Sequence, residues 1–108
     1  MSDDDASPEN IAEPSVPAGA VSRELPIINK RGLHARASAK FVQTVEKFDA
    51  DVRVTRGGET VGGTSIMGLM MLAAASGSAI SVEATGKQAA EVIDALSELI
   101  NSRFGEDD

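Results

Sequence analysis

Hydrophobic side chains change their spacing several times along this chain, and each change narrows the folds open to it. Ala37, Phe41, Val45 and Phe48 recur three and four residues apart, which predicts a helix from Ala35 to Phe48 with one buried face. Asp51 to Thr55 and Ala79 to Ala84 alternate polar and apolar residues, the mark of half-buried strands. Lys87 to Phe104 returns to helical spacing, with Ala89, Val92, Ile93, Leu96, Leu99 and Ile100 on one side. Arg56-Gly57-Gly58 reads as a tight turn into a partner strand, Glu59 to Val61. Two segments remain. Glu24 to Asn29 looks like a strand, and Pro26 within it predicts a sheet edge. Ser65 to Ala75 is a helix with Thr64 or Ser65 as its N-cap and Ser76-Gly77 as its stop. The order β-α-β-β-α-β-α predicts an α/β (α+β) open-faced sandwich: a four-stranded antiparallel sheet with three helices on one face.

Charge divides the chain into the same parts. Residues 1–22 hold five acids, no base and three of the four prolines, which predicts a disordered acidic tail. Residues 105–108 form a short acidic tail with three more acids. The intervening domain, 23–104, has nine acids and ten bases, so the overall charge of −7 belongs to the tails. Within 23–56 there are eight bases and four acids, a local field suited to an anion or an acidic protein surface.

The basic part surrounds the only histidine. His34 falls where a loop becomes a helix, with Lys30, Arg31, Arg36 and Lys40 close in sequence. A helix start has unpaired N–H groups and the positive end of the macrodipole, so it favours anions. Cations in the first turns oppose that dipole, so Arg36 and Lys40 need another reason to be there. Gly32 allows the backbone to bend and approach closely. A phosphoryl group on the imidazole would use the N–H donors, the dipole and the Arg36 guanidinium together. The alternative is an ordinary surface histidine at a helix start.

Gly32-Leu33-His34-Ala35-Arg36, followed by Lys40-Phe41-Val42 and by Ser65-Ile66-Met67-Gly68, resembles the HPr family. These are the histidine phosphocarriers of the bacterial phosphoenolpyruvate-dependent phosphotransferase system. The resemblance spans residues 23–104. It implies a carrier rather than an enzyme, phosphorylated at His34 on Nδ1 (a pros-phosphohistidine) and supported by Arg36. It also implies enzyme I as donor and an enzyme IIA-type protein as acceptor. Where the family usually has Pro, this chain has Ala37, a form similar to the nitrogen-related regulatory branch. Proline in a first turn costs little, and Ala favours the helix, so the difference is not expected to abolish phosphorylation.

Ser65 is both a natural N-cap and, by the resemblance, a regulatory phosphorylation site for HPr kinase/phosphorylase. Phosphate at a helix start is compatible with the fold and would repel a charged donor. The helix after it is apolar nearly all round, and a small domain cannot bury every side of it. The resemblance therefore implies a partner interface of Met67, Leu69, Met70 and Met71 with Lys40, and methionine suits a surface that docks several partners.

The remaining composition excludes other functions. Without cysteine and with one histidine, no zinc or copper site is expected, and no cofactor is implied. Three Phe with no Tyr or Trp argue against nucleic-acid binding. No apolar run approaches ~18 residues and the N-terminus is acidic, so a cytoplasmic, monomeric protein without membrane insertion is expected. A Gly-x-Ser-x-Gly elbow is missing, which disfavours a serine hydrolase. The competing reading is a regulatory module of the same fold that acts by docking partners.

Overall fold

The computed structural model describes residues 20–106; residues 1–19 of the expected tail, and Asp107 and Asp108, lie outside the described residues. The elements are β1 (Val21–Pro26), α1 (Ala35–Val45), β2 (Asp51–Arg56), β3 (Glu59–Gly62), α2 (Ile66–Met71), β4 (Ala79–Thr85) and α3 (Ala89–Asn101), followed by one 3-10 turn, Arg103–Gly105. Val21 and Ser22, assigned to the tail from sequence, instead open β1 and pair with Ala84 and Glu83.

The strands form one antiparallel sheet in the order β1-β4-β2-β3. Pro26 sits at the end of edge strand β1, as a residue without an N–H donor should. The β2–β3 hairpin closes on Gly57 and Gly58, both at positive φ (58° and 83°), the geometry that a two-residue hairpin loop demands. Alternation places Leu25, Val52, Val54, Ile80, Val82 and Ala84 on one face, all buried. The helices cover that face with Phe41, Val45, Leu69, Val92, Ile93 and Leu96. Among the described residues no helix is long and apolar enough to cross a membrane.

Three helix ends differ from the periodicity. α1 stops at Val45, since Lys47 N–H and Phe48 N–H bond three residues back, to Thr44 and Val45, and tighten the final turn. α2 ends at Met71, well before Ser76-Gly77. Arg56 Nη1 donates to Leu72 O at 3.0 Å and Leu33 N–H to Ala74 O at 3.0 Å, so tertiary donors take carbonyls that a longer helix would have used. Ala73 makes the reversal at φ 53°, a left-handed position that usually falls to glycine.

α3 ends at Asn101, and Phe104 does not extend it. Arg103, Phe104 and Gly105 all adopt positive φ, which returns the chain toward the N-terminus of α1. Two non-glycine residues in that region cost roughly 1–2 kcal/mol each. Burial offsets this, because the Phe104 ring is 1% exposed. Phe104→Ala should therefore lower unfolding stability by about 3–5 kcal/mol. Urea titration would measure it; a loss below about 1 kcal/mol would mean that the ring does not anchor the segment.

Candidate functional site

The loop between β1 and α1 is clamped by the loop that follows α2. Ile27 N–H donates to Ser78 O at 2.8 Å, Gly77 N–H to Ile27 O at 2.8 Å, and Leu33 N–H to Ala74 O. Gly32 lies against that second loop with φ 67°. An added Cβ would come within 2.4 Å of Ala74 O. The close approach anticipated at Gly32 thus fixes where His34 emerges.

His34 is the N-cap of α1, with extended backbone (φ −76°, ψ −177°) and its carbonyl accepting Ser38 N–H at 2.9 Å. Its side chain makes no capping bond. Ser, Thr, Asp or Asn would satisfy an N–H of the first turn, and this imidazole does not. First-turn N–H donors and the positive end of an 11-residue helix are therefore left beside the ring for an external acceptor. Ser38 is buried beneath, its hydroxyl donating to Leu33 O at 3.3 Å.

Of the basic residues expected here, Arg36 is exposed in the first turn, with no side-chain bond to a described residue. Arg31 is exposed in the loop. Lys40 is committed inward, its Nζ donating to Phe104 O at 2.6 Å, so it braces the C-terminal segment rather than standing free as a docking residue.

Two site residues were not expected from sequence. Glu106 had been placed in a solvated tail, yet its Oε2 pairs with His34 Nε2 across 72 residues of sequence. Asn29 is fully buried and donates from Nδ2 to Gly32 O at 2.8 Å and to Glu106 Oε1 at 3.1 Å. Desolvation pushes the Glu106 carboxyl up. The hydrogen bonds from His34 and Asn29 and the charges of His34 and Arg31 together outweigh that push, so its pKa lies below the usual carboxylate value and it is ionised at neutral pH. A usable signal was present: Phe104-Gly105, at the end of the predicted helix, joins an anchor to a turn residue, which a solvated tail does not need.

Ser65 caps α2 as anticipated, accepting Gly68 N–H at 2.9 Å, and is exposed. Met67 and Met71 are 71% and 69% exposed, Met70 and Ile66 about half as buried as a core residue, and Ile28 adds exposed apolar surface from the His34 loop. Leu69 corrects the expectation. It is 0% exposed, because its side of the helix packs into the core with Leu72, so it cannot belong to the apolar surface. Among the described residues no group of three His, Asp or Glu side chains could hold a metal ion.

Comparison with known proteins gives a consistent result. The family model for the HPr component phosphorylation site of the phosphotransferase system matches residues 21–102. The phosphocarrier protein HPr of Neisseria meningitidis serogroup A is 54% identical over 86 residues, covering 80% of this chain and 97% of that protein. The phosphocarrier protein NPr of Shewanella violacea is 34% identical, covering 80% and 94%. The crystal structure of HPr-C-His from Thermoanaerobacter tengcongensis superimposes with a TM-score of 0.77 at 41% identity, covering 81% of this chain and 98% of that one. With the antiparallel sheet, its three helices and the histidine loop in place, this chain belongs to the HPr family of phosphotransferase-system phosphocarriers, proteins that carry a phosphoryl group rather than catalyse a reaction.

Proposed function

We propose that His34 accepts a phosphoryl group on Nδ1 from a phosphorylated enzyme I-type protein and passes it to an enzyme IIA-type acceptor. The observation that carries this reading is the start of α1, where the His34 side chain makes no capping bond, first-turn N–H donors lie beside the ring, and the exposed Arg36 has no side-chain bond to a described residue. Phosphoryl oxygens on the ring would find those donors already oriented, and Arg36 would supply a charge-assisted fork. Met67, Met70 and Met71 supply the docking surface. They stand on a helix whose trailing loop is hydrogen-bonded to the His34 loop, so a protein seated on them reaches the imidazole. The test is incubation with enzyme I, Mg²⁺ and labelled phosphoenolpyruvate. Acid-labile label on the protein is expected, and a protein that remains unlabelled is not a carrier.

Ser65 is proposed as a regulatory site for HPr kinase/phosphorylase. A phosphate there joins the start of α2 and adds charge beside the methionine surface, slowing donor encounter without unfolding the protein. Ser65→Asp keeps a capping oxygen and should slow His34 phosphorylation about tenfold at low salt, the lower end of electrostatic effects on association. Ser65→Ala should keep the rate and lose about 1 kcal/mol of stability. Stopped-flow labelling with thermal melts separates the two effects; an unchanged rate in Ser65→Asp would remove the regulatory role.

A second reading places the acceptor in the nitrogen-related branch, favoured by Ala37 in the first turn and by the NPr relative. The identity is higher to a protein named HPr than to the one named NPr. Transfer from the labelled protein to acceptors of each branch decides between them.

A further inference from the structure

Met67, Met70 and Met71 stand on a helix of six residues, α2, too short to hold its shape unaided. The β2–β3 hairpin supports it at both ends. Gly68 lies against β3, where an added Cβ would come within 3.0 Å of Val61 Cβ, so the first turn sits flush on the strand. At the other end Arg56, the last residue of β2, donates from Nη1 to Leu72 O. In a continuing helix that carbonyl would accept from Ser76 N–H. The chain instead reverses at Ala73, whose φ of 53° is a left-handed value that alanine adopts only at a cost. α2 has no basic residue in its own last turn, so the cation at its C-terminus comes from a different element. The reversal also carries Ala74 O to Leu33 N–H, the bond that ties this loop to the His34 loop.

Resting on the reading of the methionine face as the donor's docking surface, we propose that Arg56 is a positioning residue for docking: its guanidinium holds the left-handed turn at Ala73 and so keeps Met70 and Met71 in register with His34. Leu72 is 4% exposed, so without the guanidinium its carbonyl has poor access to water and goes short of a partner. The strained turn then relaxes most readily by unwinding the residues before it. Ala73 N–H donates to Met70 O at 3.0 Å, and this is the bond that opens. Met70 and Met71 lose their fixed orientation, while the start of α1 that bears His34 is untouched. Arg56 therefore acts on docking through the turn.

The test uses the full chain as wild type, Arg56→Ala, Ala73→Gly and the double variant. Single-turnover labelling by phosphorylated enzyme I over a range of donor concentrations gives KM and the rate at saturation. Amide hydrogen exchange, taken without donor, reports the Ala73 N–H. Arg56→Ala should raise the donor KM about tenfold, the lower end of what a charge-assisted hydrogen bond contributes, and leave the saturated rate unchanged. Protection of the Ala73 N–H should fall by a similar factor. Glycine removes the cost of the left-handed turn, so Ala73→Gly should keep the wild-type KM and raise the melting temperature by about 4 °C. In the double variant it should recover most of the lost affinity and protection. Thermal melts establish that each variant is folded at the assay temperature. A wild-type KM and wild-type Ala73 protection in Arg56→Ala would overturn the proposal. So would a raised KM that Ala73→Gly fails to lower, which with a weaker salt dependence would make Arg56 a direct docking cation. A wild type that takes no label contradicts the carrier reading instead, and the donor-free exchange then still decides whether Arg56 holds the turn.

Discussion

His34→Ala should abolish acid-labile phosphoryl uptake while leaving the domain folded. The imidazole makes no capping bond to α1, so replacing it removes little helix stabilisation. Its side-chain partner is the Glu106 carboxylate, which still has Asn29 as a donor. The stability change should stay within about 1 kcal/mol, as for a substitution that neither opens the core nor strands a buried group. Function is different, because no other histidine exists in the chain to take the phosphoryl group. Labelling with enzyme I and phosphoenolpyruvate should fall to background, with circular dichroism and the melting temperature close to wild type. Acid-labile label at wild-type levels on the variant would place the acceptor elsewhere.

Gly32→Ala should have the largest effect on stability of any single-methyl addition in the loop, and should impair transfer in whatever remains folded. Two costs combine. The backbone stands at φ 67°, where an L side chain costs roughly 1–2 kcal/mol. The new Cβ would also lie 2.4 Å from Ala74 O and 2.9 Å from Ala75 Cα. Both are backbone atoms, so no side chain can swing away. Ala74 O is also the acceptor for Leu33 N–H, and moving it disturbs the bond that fixes His34. A loss of more than about 3 kcal/mol is expected, together with slower phosphorylation. Gly57→Ala is the control. Its φ is similar at 58°, but nothing lies within 4 Å of the added atom, so only the backbone cost applies. Equal urea midpoints for the two variants would show that the contact with Ala74 does not matter.

The elements were legible where stability is local. Amphipathic spacing in α1 and α3, alternation in β2 and β4, the Gly57-Gly58 turn and the Ser65 cap depend on residues a few positions apart. Pro26 announced an edge because it lacks a donor wherever it sits. The helix start bearing His34 was legible for the same reason. The misread positions are those where a distant group intervened. α2 stops early because Arg56 and Leu33 donate to carbonyls that a longer helix would have used, and Leu69 is core because its side of the helix packs inward with Leu72.

By itself, then, the amino-acid sequence determined the order and type of the elements, the basic character of the His34 region and the helix start at His34 that favours an anion. Only the tertiary structure decided which ring nitrogen of His34 is engaged. That depends on Phe104 finding a place in the core, on a left-handed turn at 103–105, and on a buried Asn29 that aims one amide at a carboxylate on the opposite end of the chain. No local pattern encodes such a contact, because its free energy comes from packing between segments that meet only after the chain has folded.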